Sequence, residues 1–185
     1  MRASAGEASW LHTIVCATRE RRDCLRALSS LAPPGAWLSA GFVRNAVFTE
    51  LFGPPRVQLE SDLDVIYFDA QQLDVERDLA FERTLFAHVP ALWSVTNQAR
   101  MAEYNGQPPY RDVEDALACF PETATAVAVR LRGNGSELEV LAPYGLTDLR
   151  AGVIRATPRI RQDVFESRCE SKRWIERWPG VRVER

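Results

Sequence analysis

Apolar and polar positions alternate along this chain with two different periods. Trp10, Ile14 and Ala17, then Cys24, Leu25 and Leu28, recur at helical spacing around the charged run Arg19–Asp23, which predicts one or two helices between Ser9 and Leu31. Ala32-Pro-Pro-Gly35 ends that segment. A short strand is predicted over Trp37–Ala40, a turn at Gly41, and a helix over Phe42–Phe52 closed by Gly53 and two prolines. Asp62–Phe68 reads as a strand with Val65 and Tyr67 on one face and Ile66 and Phe68 on the other, as in a central strand covered on both sides. A helix over Leu73–His88, a strand over Leu92–Thr96, a loop at Asn105–Pro109 and a short helix over Val113–Cys119 follow. Ala126–Arg132 and Glu137–Leu141 flank Gly133-Asn-Gly-Ser136 and predict a β-hairpin. Pro158–Arg177 reads as helix. The order predicts an α/β (α+β) fold, a mixed sheet flanked by helices.

The length, 185 residues, fits one domain. Its expected parts are a helical segment over 1–36, a core of sheet and helices over 37–150 and a C-terminal helix over 151–185. A hydrophobic fraction of 46% supplies a core without disulfides. The four cysteines form no C-x-x-C pair, so idle thiols in a reducing cytosol are expected. A net charge of −2 argues against bulk nucleic-acid binding held by charge alone. There is no apolar leader and no run of about 18 apolar residues, so no membrane association and a cytoplasmic location are expected.

Two motifs carry chemistry. In Ser61-Asp-Leu-Asp64 the carboxylates are two apart on a strand and point the same way. They are either solvated at a strand edge or a pair that needs a cation between them, and Mg²⁺ or Mn²⁺ suits such hard oxygen ligands. In Trp37-Leu-Ser-Ala-Gly-Phe-Val-Arg-Asn45 a strand runs through a small-residue turn into a helix. Its free N–H groups suit a phosphate, Gly41 allows close approach, and Arg44 adds a charged fork. The plain alternative is an ordinary turn with a surface arginine. A phosphate-binding turn about twenty residues before a two-carboxylate strand is the pairing that nucleotidyl transfer requires.

These residues resemble the head domain of CCA-adding enzymes and other polymerase-beta-like nucleotidyltransferases, whose pattern is Gly-Gly-x-x-Arg-Asp followed by Asp-x-Asp on the next strand. Here the first glycine is Ala40 and the last aspartate is Asn45. The chain is still more similar to a bacterial family of predicted nucleotidyltransferases. That likeness runs through Ser61–Asp69, Val95–Met101, Phe120–Ala126, Ala142–Leu149 and Arg168-x-x-x-Lys172-x-Trp174. It implies a nucleoside triphosphate as partner, Asp62 and Asp64 as metal ligands and catalytic residues, and contacts from Gly41, Phe42, Arg44 and Asn45.

For a third carboxylate, Glu139 is favoured over its face-mate Glu137, against the alternative of a solvated acidic hairpin face. Asn97, Gln98 and Arg100 follow a strand end where ligands gather, or cap a helix. Arg168 and Lys172 share a helix face that either reaches phosphate or is simply solvated. The leading expectation is transfer of a nucleoside monophosphate to an unknown acceptor hydroxyl on a small molecule, a protein or an RNA end. A tRNA acceptor is the less expected choice, because nothing resembles the helices that grip tRNA. The alternative is a non-catalytic descendant that binds a nucleotide or protein.

Overall fold

The structure, a computed structural model, describes residues 2–59, 61–132 and 137–185. It opens with helices α1 (Ala5–Val15) and α2 (Arg19–Leu31). Helix α1 starts four residues earlier than apolar spacing predicted, because Ser4 and Glu7 form a reciprocal capping box that satisfies the first N–H groups. Thr18 caps α2 and separates the two helices.

Strand β1 (Trp37–Ser39) leads directly into α3 (Gly41–Phe52). Then come β2 (Leu63–Tyr67), α4 (Val75–His88) and β3 (Trp93–Asn97), followed by a 3₁₀ turn and the short helices α5 (Met101–Tyr104) and α6 (Val113–Leu117). Strands β4 (Ala128–Arg132) and β5 (Glu137–Leu141) pair antiparallel as the predicted hairpin arms, while the turn between them lies outside the described residues. The five strands form one mixed sheet in the order β3-β2-β1-β4-β5, with only β2 and β3 parallel.

Strand alternation divides the apolar residues between the two faces. Leu38, Val65, Tyr67, Val95, Val129 and Val140 face the main core, which α1, α2 and α3 complete. Trp37, Ile66, Ala128 and Leu141 face a smaller cluster with Leu117 and Ala126. This second face is covered only in part, and its uncovered portion becomes the site. The outer edge of β3 is closed by α4: Glu82 accepts from Val95 N (2.8 Å) and Asp78 from Asn97 N (3.1 Å). Both N–H groups of the edge are thereby removed from pairing with another strand.

Residues 151–185 depart from the expected single helix. After α7 (Thr147–Ala151) comes β6 (Val153–Arg155), which pairs in parallel with β7 (Arg182–Glu184) as a two-stranded ribbon. Between them α8 (Gln162–Lys172) and α9 (Trp174–Arg177) are broken apart at Arg173, whose φ of 50° is left-handed. Strands of three residues leave too short a pattern for periodicity to reveal. The ribbon is fastened to the end of α3. Phe48 stacks edge-on against Phe52 and Trp178, and the Trp178 indole donates to Gly53 O at 3.1 Å. The Phe52 ring fits between Gly152 and Gly180, and a Cβ on either would sit 2.4 Å from a ring carbon. No helix among the described residues is long and apolar enough to cross a membrane.

Gly152→Ala combines this overlap with a φ of +65°, so it should lower unfolding free energy by about 2–4 kcal/mol in urea titrations. Trimming the ring with Phe52→Leu should shrink the further loss caused by Gly152→Ala.

Candidate active site

Sheet topology gathers the site at one end. Strands β1 and β2 run antiparallel with Leu38 opposite Val65, so the end of β1 lies beside the start of β2. Ser39 confirms the junction, its hydroxyl donating to the Asp64 carbonyl at 3.2 Å. Because β3 is parallel to β2, Ser94 sits beside Asp64 and Thr96 beside Ile66. Strand β4 is antiparallel to β1, which brings Ala128 and the segment before it to the same end. The result is a cleft of about 830 Å³ lined by Ala40, Gly41, Arg44, Asp62 and Asp64 together with side chains from the C-terminal half.

Asp62 is exposed and Asp64 is half-buried, and both line this cleft. Burial, and next the negative charge of Asp62, push the Asp64 carboxyl up to about 6, against opposing pull from Arg44, Lys172 and Arg168. Like charges that close favour a proton or a cation between them. Two carboxylates on one wall of an open cleft fit Mg²⁺ or Mn²⁺, which is usually held by one or two protein carboxylates plus substrate phosphates. Among the described residues no group of three or more His, Cys, Asp or Glu assembles to hold a metal.

The turn into α3 is built as the sequence reading required, with one difference in its backbone. Ala40 holds φ 51° and ψ −115°, a conformation that glycine tolerates and alanine resists. It is kept there because Ala40 N donates to Val127 O at 3.1 Å and Ala40 O accepts from Arg44 N at 3.0 Å. No side chain caps the first turn of α3, and the helix begins on the cleft wall. Gly41 permits close approach: a Cβ there would lie 3.0 Å from Ser61 Oγ, just before the aspartates. Arg44 is buried, not a surface residue. It donates to Thr125 Oγ1 (2.8 Å) and Asn45 Oδ1 (3.0 Å) and lies over Trp174, while its Nε has no partner. Burial lowers its pKa to about 10, so it stays cationic at neutral pH.

The opposite wall comes from the segment Phe120–Thr125 and from α8. Arg168 and Lys172 both line the cleft. Glu122 is fully buried and accepts from both Nε and Nη2 of Arg168. Its part was not visible in the sequence, where it is a lone acid in an aperiodic segment. Gln98 also lines the cleft, with the loop Tyr104–Gln107 at the rim.

Other expected site residues lie elsewhere. Asn97 is one residue out of phase with Thr96 and Gln98, so alternation turns it away from the cleft. Its amide instead clamps the loop after β2, donating to Asp69 O and Gln72 O (both 2.8 Å). Arg100 is bound to buried Asp78, which also accepts from Tyr67 Oη (2.6 Å). Phe42 packs in the main core, and Asn45 meets Arg44 without lining the cleft. Glu139, the expected third carboxylate, is on edge strand β5, three strands from β2 and thus roughly 14 Å across the sheet. It pairs with Arg130 (2.6 Å) and Arg2, and borders other depressions with its neighbour Glu137. Glu139 is therefore a partner in a charge pair outside this cleft.

A mixed five-stranded sheet with an acidic pair facing an uncapped helical turn is the arrangement of a nucleotidyltransferase head. A protein-family model described as Nucleotidyltransferase matches residues 26–183, and the chain belongs to that family. An NMR structure described as revealing a CCA-adding enzyme head domain is 28% identical, with TM-score 0.81 and 95% of each chain covered. The Thermotoga maritima CCA-adding enzyme complexed with tRNA (17% identity, TM-score 0.57) and a CCA-adding enzyme complexed with CTP (16%, 0.59) share the fold over 96% of this chain. This chain covers only 42% and 43% of those two enzymes. No curated protein sequence matches.

Two stability measurements test the geometry. Ala40→Gly should stabilise the protein by roughly 1 kcal/mol, since release of the left-handed strain outweighs the added chain entropy. In chelator, Asp64→Asn should raise Tm at pH 8, by roughly 1–3 kcal/mol of stability. The sign follows from a folded pKa of about 6 above the ordinary 3.8. The native fold binds the extra proton, so its stability falls as pH rises through that interval. The mutant's advantage should therefore vanish below about pH 4.

Proposed function

We propose that this protein transfers a nucleoside monophosphate from a nucleoside triphosphate to an acceptor hydroxyl, with a divalent metal ion held by Asp62 and Asp64. The observation that carries the proposal is the shared cleft: two carboxylates on one wall, an uncapped helical turn beside them, and cations opposite. The family match and the resemblance to CCA-adding enzymes point the same way.

In this reading Asp62 and Asp64 supply the oxygen ligands, and their mutual repulsion is relieved by the cation. When bound, Mg²⁺ or Mn²⁺ supplies charge neutralisation on the phosphate oxygens as the pentavalent centre forms. The turn receives phosphate through the backbone N–H groups of Gly41, Phe42 and Val43 at the positive end of α3, since those of Ala40 and Arg44 are already bonded. Arg44 is already immobilised by Thr125 and Asn45, so it is oriented before substrate arrives. The acceptor oxygen forms a bond to the α-phosphorus, the bond to the bridging oxygen breaks, pyrophosphate leaves and the hydroxyl proton is released to water. Ser94, Thr96 and Gln98 continue the cleft floor from Asp64 and offer hydroxyl and amide groups to the sugar, base or acceptor.

Incubation with each α-labelled nucleoside triphosphate and a cell extract should move label to an acceptor only with Mg²⁺ or Mn²⁺. Asp64→Asn and Asp62→Ala should each reduce transfer by about 10²-fold or more, the several kcal/mol that metal stabilisation is worth. Equal labelling by native protein and Asp62→Ala would refute the metal assignment. Nucleotide thermal shifts that are identical in native and Asp64→Asn protein, without transfer, would mark a non-catalytic binding module.

A further inference from the structure

We infer that Arg168 and Lys172 of α8 hold the two terminal phosphates of the nucleotide, and that Glu122 is the positioning residue that fixes Arg168. The inference rests on the nucleotide-transfer reading for the identity of the ligand, but the sites themselves are argued from the cleft.

Glu122 is fully buried, and a buried carboxylate persists only when paired. Its two oxygens take the Nε and Nη2 edges of Arg168. A guanidinium has five N–H donors in a rigid plane, so this pairing leaves others free while locking their direction. The Arg168 side chain is still 28% exposed and lines the cleft that contains Asp64. Lys172 is one helical turn further along the same face and also lines the cleft. It has no hydrogen-bond or ion-pair partner among the described residues. Arg44 adds a third cation from the neighbouring wall, with an unpartnered Nε and 3% exposure.

Charge decides what such a wall accepts. Five cations line the cleft; Arg168 is paired with Glu122, Arg159 with Asp115 and Arg161 with Asp163, which leaves Arg44 and Lys172 without an ion pair among the described residues. With a divalent cation balancing Asp62 and Asp64, about two positive charges remain uncompensated in a partly desolvated site. A single carboxylate or a neutral sugar would not balance them, whereas the β- and γ-phosphates would. Phosphate is also the group whose oxygens accept from a guanidinium edge and an ammonium together. The nucleotide is thus oriented with its α-phosphate toward the aspartates and its leaving pyrophosphate toward α8.

The direct test is calorimetric binding of inorganic tripolyphosphate as its Mg²⁺ complex to the full chain, which needs no turnover. The native protein should bind it, Lys172→Ala should bind about tenfold more weakly, and Lys172→Arg should recover most of the affinity. Arg168→Lys should also weaken binding, because an ammonium cannot keep both Glu122 oxygens and a phosphate. Glu122→Gln should raise KM for the nucleotide about tenfold with kcat changed less than about threefold, unlike a general loss of folded protein, which would lower kcat alone. No tripolyphosphate binding by the native chain, or equal binding by Lys172→Ala, overturns the inference. Lys172-dependent binding without any nucleotide transfer would sustain this phosphate clamp and sink the catalytic reading. Transfer with unchanged KM in Lys172→Ala would do the reverse.

Discussion

The antiparallel pairing of β1 with β2 is the constraint on which the site depends. It sets the end of one strand against the beginning of the next, so the turn into α3 and the acidic pair meet without any long connection. The register is held from both faces, by Trp37 opposite Ile66 in the minor cluster and Leu38 opposite Val65 in the main core. A slip of one residue would move Asp64 to the core face and expose Val65, exchanging a tolerable charge for an intolerable one. Burial on two sides thus protects an arrangement that electrostatics alone would oppose.

That opposition is plain in the cleft. Asp62 and Asp64 stand on the sheet side, while Arg159, Arg161 and Arg168 each meet a carboxylate and Arg44 and Lys172 have no ion pair among the described residues. Elsewhere the protein pairs its charges more completely: Asp78 with Arg100 and Tyr67, Glu139 with Arg130 and Arg2, Asp148 with Arg155.

Much of this was legible because a continuous apolar run such as Val65–Phe68 marks a strand buried on both sides. Asp62 and Asp64 could be placed on one face from spacing alone, and Gly41 beside them from the turn. At Asn97 position after a strand said less: the strand extends through it, and its side chain caps the next turn and holds the loop after β2. Glu139 looked apt because a hairpin strand follows the motif, yet strand order is a tertiary fact and puts two strands between it and β2. Glu122 has no periodicity to declare it, and Arg168 and Lys172 gain meaning only when α8 folds back over the sheet. The three-residue strands of the terminal ribbon were lost for want of length.

The grip on Phe52 has a consequence at the other end of its helix. Helix α3 has 12 residues, a rod of roughly 18 Å, whose last side chain is wedged between Gly152 and Gly180 and whose first turn borders the cleft. A rigid rod transmits tilt along its length. Packing at the ribbon and the position of the turn that carries Gly41 and Arg44 are therefore mechanically joined.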